Sequence, residues 1–209
     1  VVRDSVPDDT TSTPVDWIID LQKVTLADAK VQLLMDTMNL RARVGKASVK
    51  KVHLDLPANL YQVDQATLSR SFLALDLNTN EPAEGLDYAH IALDSIELDI
   101  RSVCNQGSNL SLEVKKARMK ERSGLELTSL SGLWQMDANT FHAHQFELST
   151  PFSSASLHAD VDMNALDTEK LDGNMDVKLN VEVGRQDLLL AAGPTLAKDL
   201  EKLYPDRNL

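Results

Sequence analysis

Strict alternation of apolar and polar residues is the feature that most constrains this chain. In the stretch 175–183, every second residue is apolar and the residues between them are polar or charged. The apolar set is Met175, Val177, Leu179, Val181 and Val183, and the polar set is Asp176, Lys178, Asn180 and Glu182. Successive side chains of a β-strand point to opposite faces of its sheet, so this pattern predicts a strand with one dry and one wet face. The stretch 155–163 repeats the pattern with Ala155, Leu157, Ala159, Val161 and Met163.

The alternation changes phase inside several of these runs. The apolar residues Ile91 and Leu93 fit one phase, and Ile96, Leu98 and Ile100 fit the other, with the slip near Asp94–Ser95. A slip of one residue also unites Phe141 and Ala143 with Phe146 and Leu148. β-Bulges produce such slips and bend long strands. The sequence therefore predicts long, bent strands in a curved sheet.

Turn signals separate the runs and predict a meander. They are Asn105-Gln106-Gly107-Ser108, Ser123-Gly124 and Asp172-Gly173. Residues 109–121 and 125–137 form a predicted β-hairpin around the second of these turns. The stretch 25–40 is compatible with a helix or a strand, and the alternation of Val24, Leu26, Ala29 and Val31 with one slip favours a strand. Consecutive strands joined by short turns pair with their neighbours in the sequence, which favours an antiparallel meander.

The two ends of the chain differ from this pattern. Residues 1–13 are polar and predict a disordered or extended lead-in, which leaves 14–209 as a single β-rich domain. Between Pro194 and Tyr204, Leu196, Leu200 and Leu203 recur at helical spacing. The predicted fold class is mostly β: a curved antiparallel meander, either an open groove-like sheet or a sandwich-like one, with a short C-terminal amphipathic helix. The chain begins with Val1 and shows no signal sequence, so we expect a fragment of a longer protein.

The composition of the chain limits the classes of molecule that it can bind. The formal net charge of −11 argues against nucleic acid, because affinity for phosphates comes largely from Lys and Arg. The same charge gives no attraction to anionic lipid headgroups, so contact with a lipid would have to involve apolar surface. Aromatic residues make up only 4% of the chain, so the dry face must be aliphatic. Cys104 is the only cysteine, which excludes an internal disulfide.

No motif of covalent or metal chemistry stands out. The chain has no phosphate-binding glycine loop, nucleophile elbow or zinc-protease helix motif, and its carboxylates occur singly at polar strand positions. His142 and His144 share a predicted strand face, and His158 on the next strand makes a three-histidine metal site conceivable. Solvated histidines on a wet face are the favoured interpretation. The sequence therefore predicts a non-catalytic protein without a metal or cofactor.

One segment resembles a known family. Lys120 to Gly132 (KERSGLELTSLSG) is similar to a recurrent element of the AsmA-like and TamB-like translocation and assembly proteins of Bacteroidetes. Leu21 to Val31 is similar to that family's opening strands, and Thr150-Pro151-Phe152 with 154–162 to a later strand. The resemblance covers about residues 17–190. It implies a periplasmic segment of a cell-envelope protein that is anchored in the inner membrane, with a curled, groove-forming β structure that serves phospholipid transport or outer-membrane protein assembly.

A groove of this kind would bind acyl chains through its dry face. Candidate lining residues are Ile96, Leu98, Ile100, Leu157, Val161, Val177, Leu179 and Val181. The structural alternative is that these residues form the closed core of a sandwich. The functional alternative is a protein-binding or adhesin-like β module that recruits a partner through an exposed strand edge.

Overall fold

The computed structural model describes residues 16–78, 80–83, 85–166 and 172–192. These residues form nine strands in one sheet whose spatial order is the order of the sequence. The strands are β1 (Ile18–Met35), β2 (Met38–Asp55), β3 (Leu60–Asp76), β4 (His90–Gln106), β5 (Asn109–Glu121), β6 (Glu126–Met136), β7 (Thr140–Ser149), β8 (Ser154–Asp162) and β9 (Met175–Glu182). A short 3₁₀ helix (Met163–Leu166) follows β8, and an α-helix, α1, covers 185–192. The prediction of a mostly β antiparallel meander is confirmed, and 25–40 belongs to β1, β2 and the two-residue turn between them.

The predicted phase slips fall at residues with positive φ, and those of β4 and β7 are bulges that shift the register. Ser95 has φ of 53°, at the slip predicted for β4, and Gln145 has φ of 52°, between the two apolar pairs of β7. Asp28 marks the slip of β1 with φ of 52°. Each such residue turns the strand so that apolar side chains return to the face they had before it. The residues with positive φ therefore keep one face apolar along strands of up to 18 residues.

Neighbouring strands bend at matching positions. Asp28 on β1 faces Gly45 on β2, which in turn faces Arg70 on β3, where φ is 51°. The β2 backbone approaches β3 so closely here that a Cβ on Gly45 would lie 2.4 Å from the Arg70 carbonyl oxygen. The Gly45 amide also donates a hydrogen bond of 3.2 Å to the Ser71 hydroxyl. This shared bend allows β1, β2 and β3 to stay in register.

The sheet is open, so the sandwich alternative is not formed among the described residues. β1 and β9 are its two edges and do not pair with each other. In the described part of the chain, the buried apolar residues are mainly alanines and no large side chain is fully buried. A sandwich needs strands that turn back over the first sheet, whereas each described strand instead pairs beside its predecessor.

The helix α1 lies at the end of the sheet. The buried Asp187 carboxylate accepts a hydrogen bond of 2.5 Å from the Ser153 hydroxyl and another from the Thr150 hydroxyl, in the β7–β8 turn. The amide of Leu86, in the β3–β4 connection, donates to the carbonyl of Leu190 at 3.2 Å. A C-terminal helix is thus confirmed. Residues 1–13 and the predicted helical segment from Pro194 to Tyr204 lie outside the described residues. Within the described residues, no helix is long and apolar enough to cross a membrane.

Candidate functional site: the apolar face of the open sheet

The sheet has one apolar face that runs without interruption from edge to edge. Directly paired residues of antiparallel strands lie on the same face. One row of paired residues crosses all nine strands and is apolar throughout: Leu26, Ala47, Leu68, Leu98, Ala117, Leu130, Leu148, Ala155 and Val181. With neighbouring strands about 4.8 Å apart, this row measures about 38 Å along the sheet.

The opposite face is polar in the same systematic way. A second row of directly paired residues also crosses all nine strands: Asp20, His53, Gln62, Cys104, Ser111, Gln135, His142, Asp160 and Asp176. Every member of this row can form hydrogen bonds with water or with a neighbour. The sheet is therefore amphipathic as a whole, with one face suited to water and the other to an apolar cover.

The predicted lining residues all lie on the apolar face. On β4, Ile96 is buried while Leu98 and Ile100 are half-buried, and on β8 Val161 is buried while Leu157 is half-buried. On the edge strand β9, Val177, Leu179 and Val181 are 47%, 61% and 51% exposed. Exposure rises at the edges because side chains in the middle strands are screened by neighbours on both sides.

Three aromatic residues cluster at one place on the apolar face. The Trp134 ring lies edge-to-face with Phe141, 5.8 Å between ring centroids, and with Phe146 at 5.7 Å. All three belong to β6 and β7 and share the apolar face. Beside them, Ala143, Ala159 and Val161 form the one buried apolar cluster found among the described residues, with Phe141 and Leu157 against it.

A cluster of imidazoles surrounds one carboxylate on the polar face of β7 and β8. Asp160 pairs directly with His142 in the β7–β8 ladder, and its Oδ1 lies 2.5 Å from His142 Nδ1 and 2.7 Å from His144 Nε2. Its Oδ2 lies 3.1 Å from His158 Nε2. Hydrogen bonds from His142 and His144 lower the pKa of Asp160 to about 2. The ring of His144 stacks on that of His158, with centroids 4.5 Å apart and planes at 11°.

Sequence reasoning brought His142, His144 and His158 together but missed Asp160. The signal was present, because alternation along β8 places Asp160 two residues after His158 on the same face. Carboxylates are common on the solvent-facing side of strands, so the sequence position of Asp160 does not by itself indicate a site. Pairing of β7 with β8 in this register is what selects it.

Comparison with protein-family models, with curated proteins and with solved structures gave no match to this chain. The resemblance of Lys120 to Gly132 to the AsmA-like and TamB-like proteins thus stays a prediction from the sequence.

Proposed function

We propose that this chain is a non-catalytic segment that carries phospholipid acyl chains on the apolar face of its open sheet. The observation that supports the proposal most is the row from Leu26 to Val181, apolar on all nine strands and without a covering layer among the described residues. Monomeric soluble proteins rarely leave an apolar surface of such extent free, and large exposed patches mark binding sites.

The energetics suit an acyl chain. Each fully buried methylene contributes about 0.8 kcal/mol, so half-covering a chain of about 14 methylenes stabilises the complex by about 5–6 kcal/mol before losses of entropy. The contact is made by aliphatic side chains such as Leu98, Leu157 and Leu179, which impose no fixed geometry on a flexible chain. The net charge of −11 offers no attraction to an anionic headgroup, so the acyl chain supplies the affinity.

The cellular setting follows from the sequence resemblance. Similarity to the AsmA-like and TamB-like families favours a periplasmic segment of a longer envelope protein, anchored in the inner membrane, that serves phospholipid transport or outer-membrane protein assembly. Among the described residues the sheet is open and its edge strands are β1 and β9, which supports a segment of this kind, because further strands could extend the apolar surface on either side.

Site-specific photo-crosslinking tests the proposal. A benzophenone amino acid replaces Leu179 on the apolar face of β9, or Lys178 on its polar face, in cells labelled with radioactive phosphate. Both positions are well exposed, so neither change should disturb folding. We expect labelled phospholipid on the protein from the Leu179 position and little from Lys178. Native mass spectrometry of the wild-type chain should then show bound phospholipid. Lipid-free protein, with equal labelling at both positions, would refute the proposal.

A second candidate function is supported by the edges. β1 is an edge strand of 18 residues, long enough to accept a strand from a partner protein by β-augmentation. Leu33 and Leu34 at its end are 45% and 72% exposed, which would add apolar contact to such a pairing. A benzophenone at Leu34 that captures a protein, together with the absence of lipid at Leu179, would favour a protein-binding β module over a lipid carrier.

A further inference from the structure

We propose that His142, His144 and Asp160 bind one divalent transition-metal ion, for which Zn²⁺ is the best match, and that His158 positions Asp160 for this role. The site lies on the polar face, behind the surface assigned to acyl chains, and does not depend on the proposed function. It is the only group of three His, Cys, Asp or Glu side chains with converging ligand atoms in the part of the chain that the structure describes.

The ligand chemistry selects the ion. Two imidazole nitrogens and one carboxylate oxygen form a ligand set that zinc accepts, with a fourth position left for water. Imidazole favours Zn²⁺, Ni²⁺ and Cu²⁺ over Mg²⁺ and Ca²⁺, which prefer oxygen ligands. The site should therefore discriminate strongly against the alkaline-earth ions.

The distances are close to those of a coordinated ion. The three ligand atoms all lie within 4.8 Å of one another, with His142 Nδ1 and His144 Nε2 at 2.5 Å and 2.7 Å from Asp160 Oδ1. Ligand atoms on a tetrahedral zinc ion are about 3.3 Å apart, given bonds of about 2.0–2.1 Å. Opening each nitrogen–oxygen contact by less than about 1 Å would bring it to this spacing.

The charge of the site favours a cation. Asp160 places a carboxylate at the centre of the cluster, with Oδ1 facing His142 and His144 and Oδ2 facing His158. Asp176 pairs with Asp160 across the β8–β9 ladder and adds a second carboxylate beside the first, with Lys178 as its ion-pair partner at 3.3 Å. A divalent ion would be attracted to this surface and would replace the hydrogen bonds that now hold the rings.

The site is also held in place before an ion arrives. All four side chains come from two directly paired strands, and the side-chain exposure of each is between 34% and 41%. His158 contacts Asp160 Oδ2 and stacks on the His144 ring, so it restrains both ligands. Outer contacts of this kind commonly change metal affinity about 10- to 100-fold.

The chain provides a matched control. His53 and Asp20 lie on the same polar row, on β2 and β1, and their ring nitrogen and carboxylate oxygen are also 2.7 Å apart. This pair has two potential ligands instead of three, so it should bind an ion only weakly. His53→Ala thus removes a histidine–carboxylate pair of the same geometry without touching the proposed site.

Isothermal titration calorimetry of the tag-free chain with ZnCl₂ tests the proposal, with far-UV circular dichroism to verify folding. We expect one ion per chain and, at a zinc concentration about 100 times the Kd, a rise in melting temperature of about 5–10 °C. Co²⁺ bound in place of zinc should give the visible absorption of a tetrahedral site. MgCl₂ should have no effect.

Alanine variants distinguish the proposed metal ligands from the other histidines of the polar face. His142→Ala and His144→Ala should each weaken zinc binding at least 100-fold, His158→Ala about 10-fold, and His53→Ala not at all. Absence of binding at 100 µM zinc, or binding that His142→Ala and His144→Ala leave unchanged in folded protein, would overturn the proposal.

Discussion

Gly45 is the residue on which the shared bend of β2 and β3 most depends, and replacing it with alanine tests that bend directly. An added Cβ would lie 2.4 Å from the Arg70 carbonyl oxygen and 3.0 Å from the carbonyl carbon. Ordinary van der Waals contact begins at 3.4 Å, and the nearest atom belongs to backbone that cannot rotate away. The strands must therefore separate by about 1 Å, which also strains the hydrogen bond from the Gly45 amide to Ser71.

Overpacking of this kind destabilises the folded state by about 1–3 kcal/mol. Alanine also lowers the entropy of the unfolded chain, which stabilises the folded state by about 0.4–1 kcal/mol and partly offsets this cost. We expect Gly45→Ala to reduce the free energy of unfolding by about 1–2 kcal/mol and the melting temperature by about 2–8 °C, measured by urea titration and calorimetry. Gly107→Asn is the control, because nothing lies within 4 Å of the Cβ it adds and asparagine tolerates the φ of +59°. A variant Gly45→Ala as stable as the wild type would refute the close approach of the two strands.

Three further predictions address backbone strain, acid stability and the helix. Lys51 has φ of 47°, so Lys51→Gly should leave stability unchanged or raise it by up to about 1 kcal/mol, whereas Val49→Gly on the same strand should lower it by more than about 1 kcal/mol in urea titration. The depressed pKa of Asp160 stabilises the folded state above about pH 4, and this contribution should disappear as the pH falls to about 2. Metal-free Asp160→Asn should therefore unfold less steeply in acid. Asp187→Ala should lose about 1–3 kcal/mol in thermal unfolding, because the Ser153 hydroxyl loses its buried acceptor, while a value near zero would mean that α1 is not docked through this carboxylate.

Much of the sheet could be predicted because apolar–polar alternation indicates both which residues form a strand and which side chains lie on its dry face. The hairpin of 109–121 and 125–137 differs from the observed β5 and β6 by one residue at each end of the second strand. The slips of β4 and β7 fell where Ser95 and Gln145 adopt positive φ. At each of these slips, two apolar residues are three positions apart instead of two, and this spacing is visible in a single sequence.

Other features leave no such mark. Arg70 also has positive φ, yet arginine is not a residue type that favours it, and Ser71 stands where an apolar residue would show the slip, so only the partner strand reveals this bend. Period-two alternation also says that a face is dry without saying what covers it, which is why an open sheet and a sandwich were both compatible with the sequence. Only the register of β7 with β8 shows that Asp160 lies beside His142 and His144.

The same strand pair carries both proposed sites, which gives the two faces a physical connection. Ala143 and Ala159 pair directly and form the buried apolar cluster with Val161, while His142 and Asp160, each one residue along, pair on the other face. An ion held by His142, His144 and Asp160 would clamp β7 to β8 without contacting the apolar side chains. On the apolar face, Phe141 and Leu157 pack against these buried alanines. A metal there would stabilise the part of the apolar surface nearest the short edge strand β9, where the ladder of eight residues is least able to support itself.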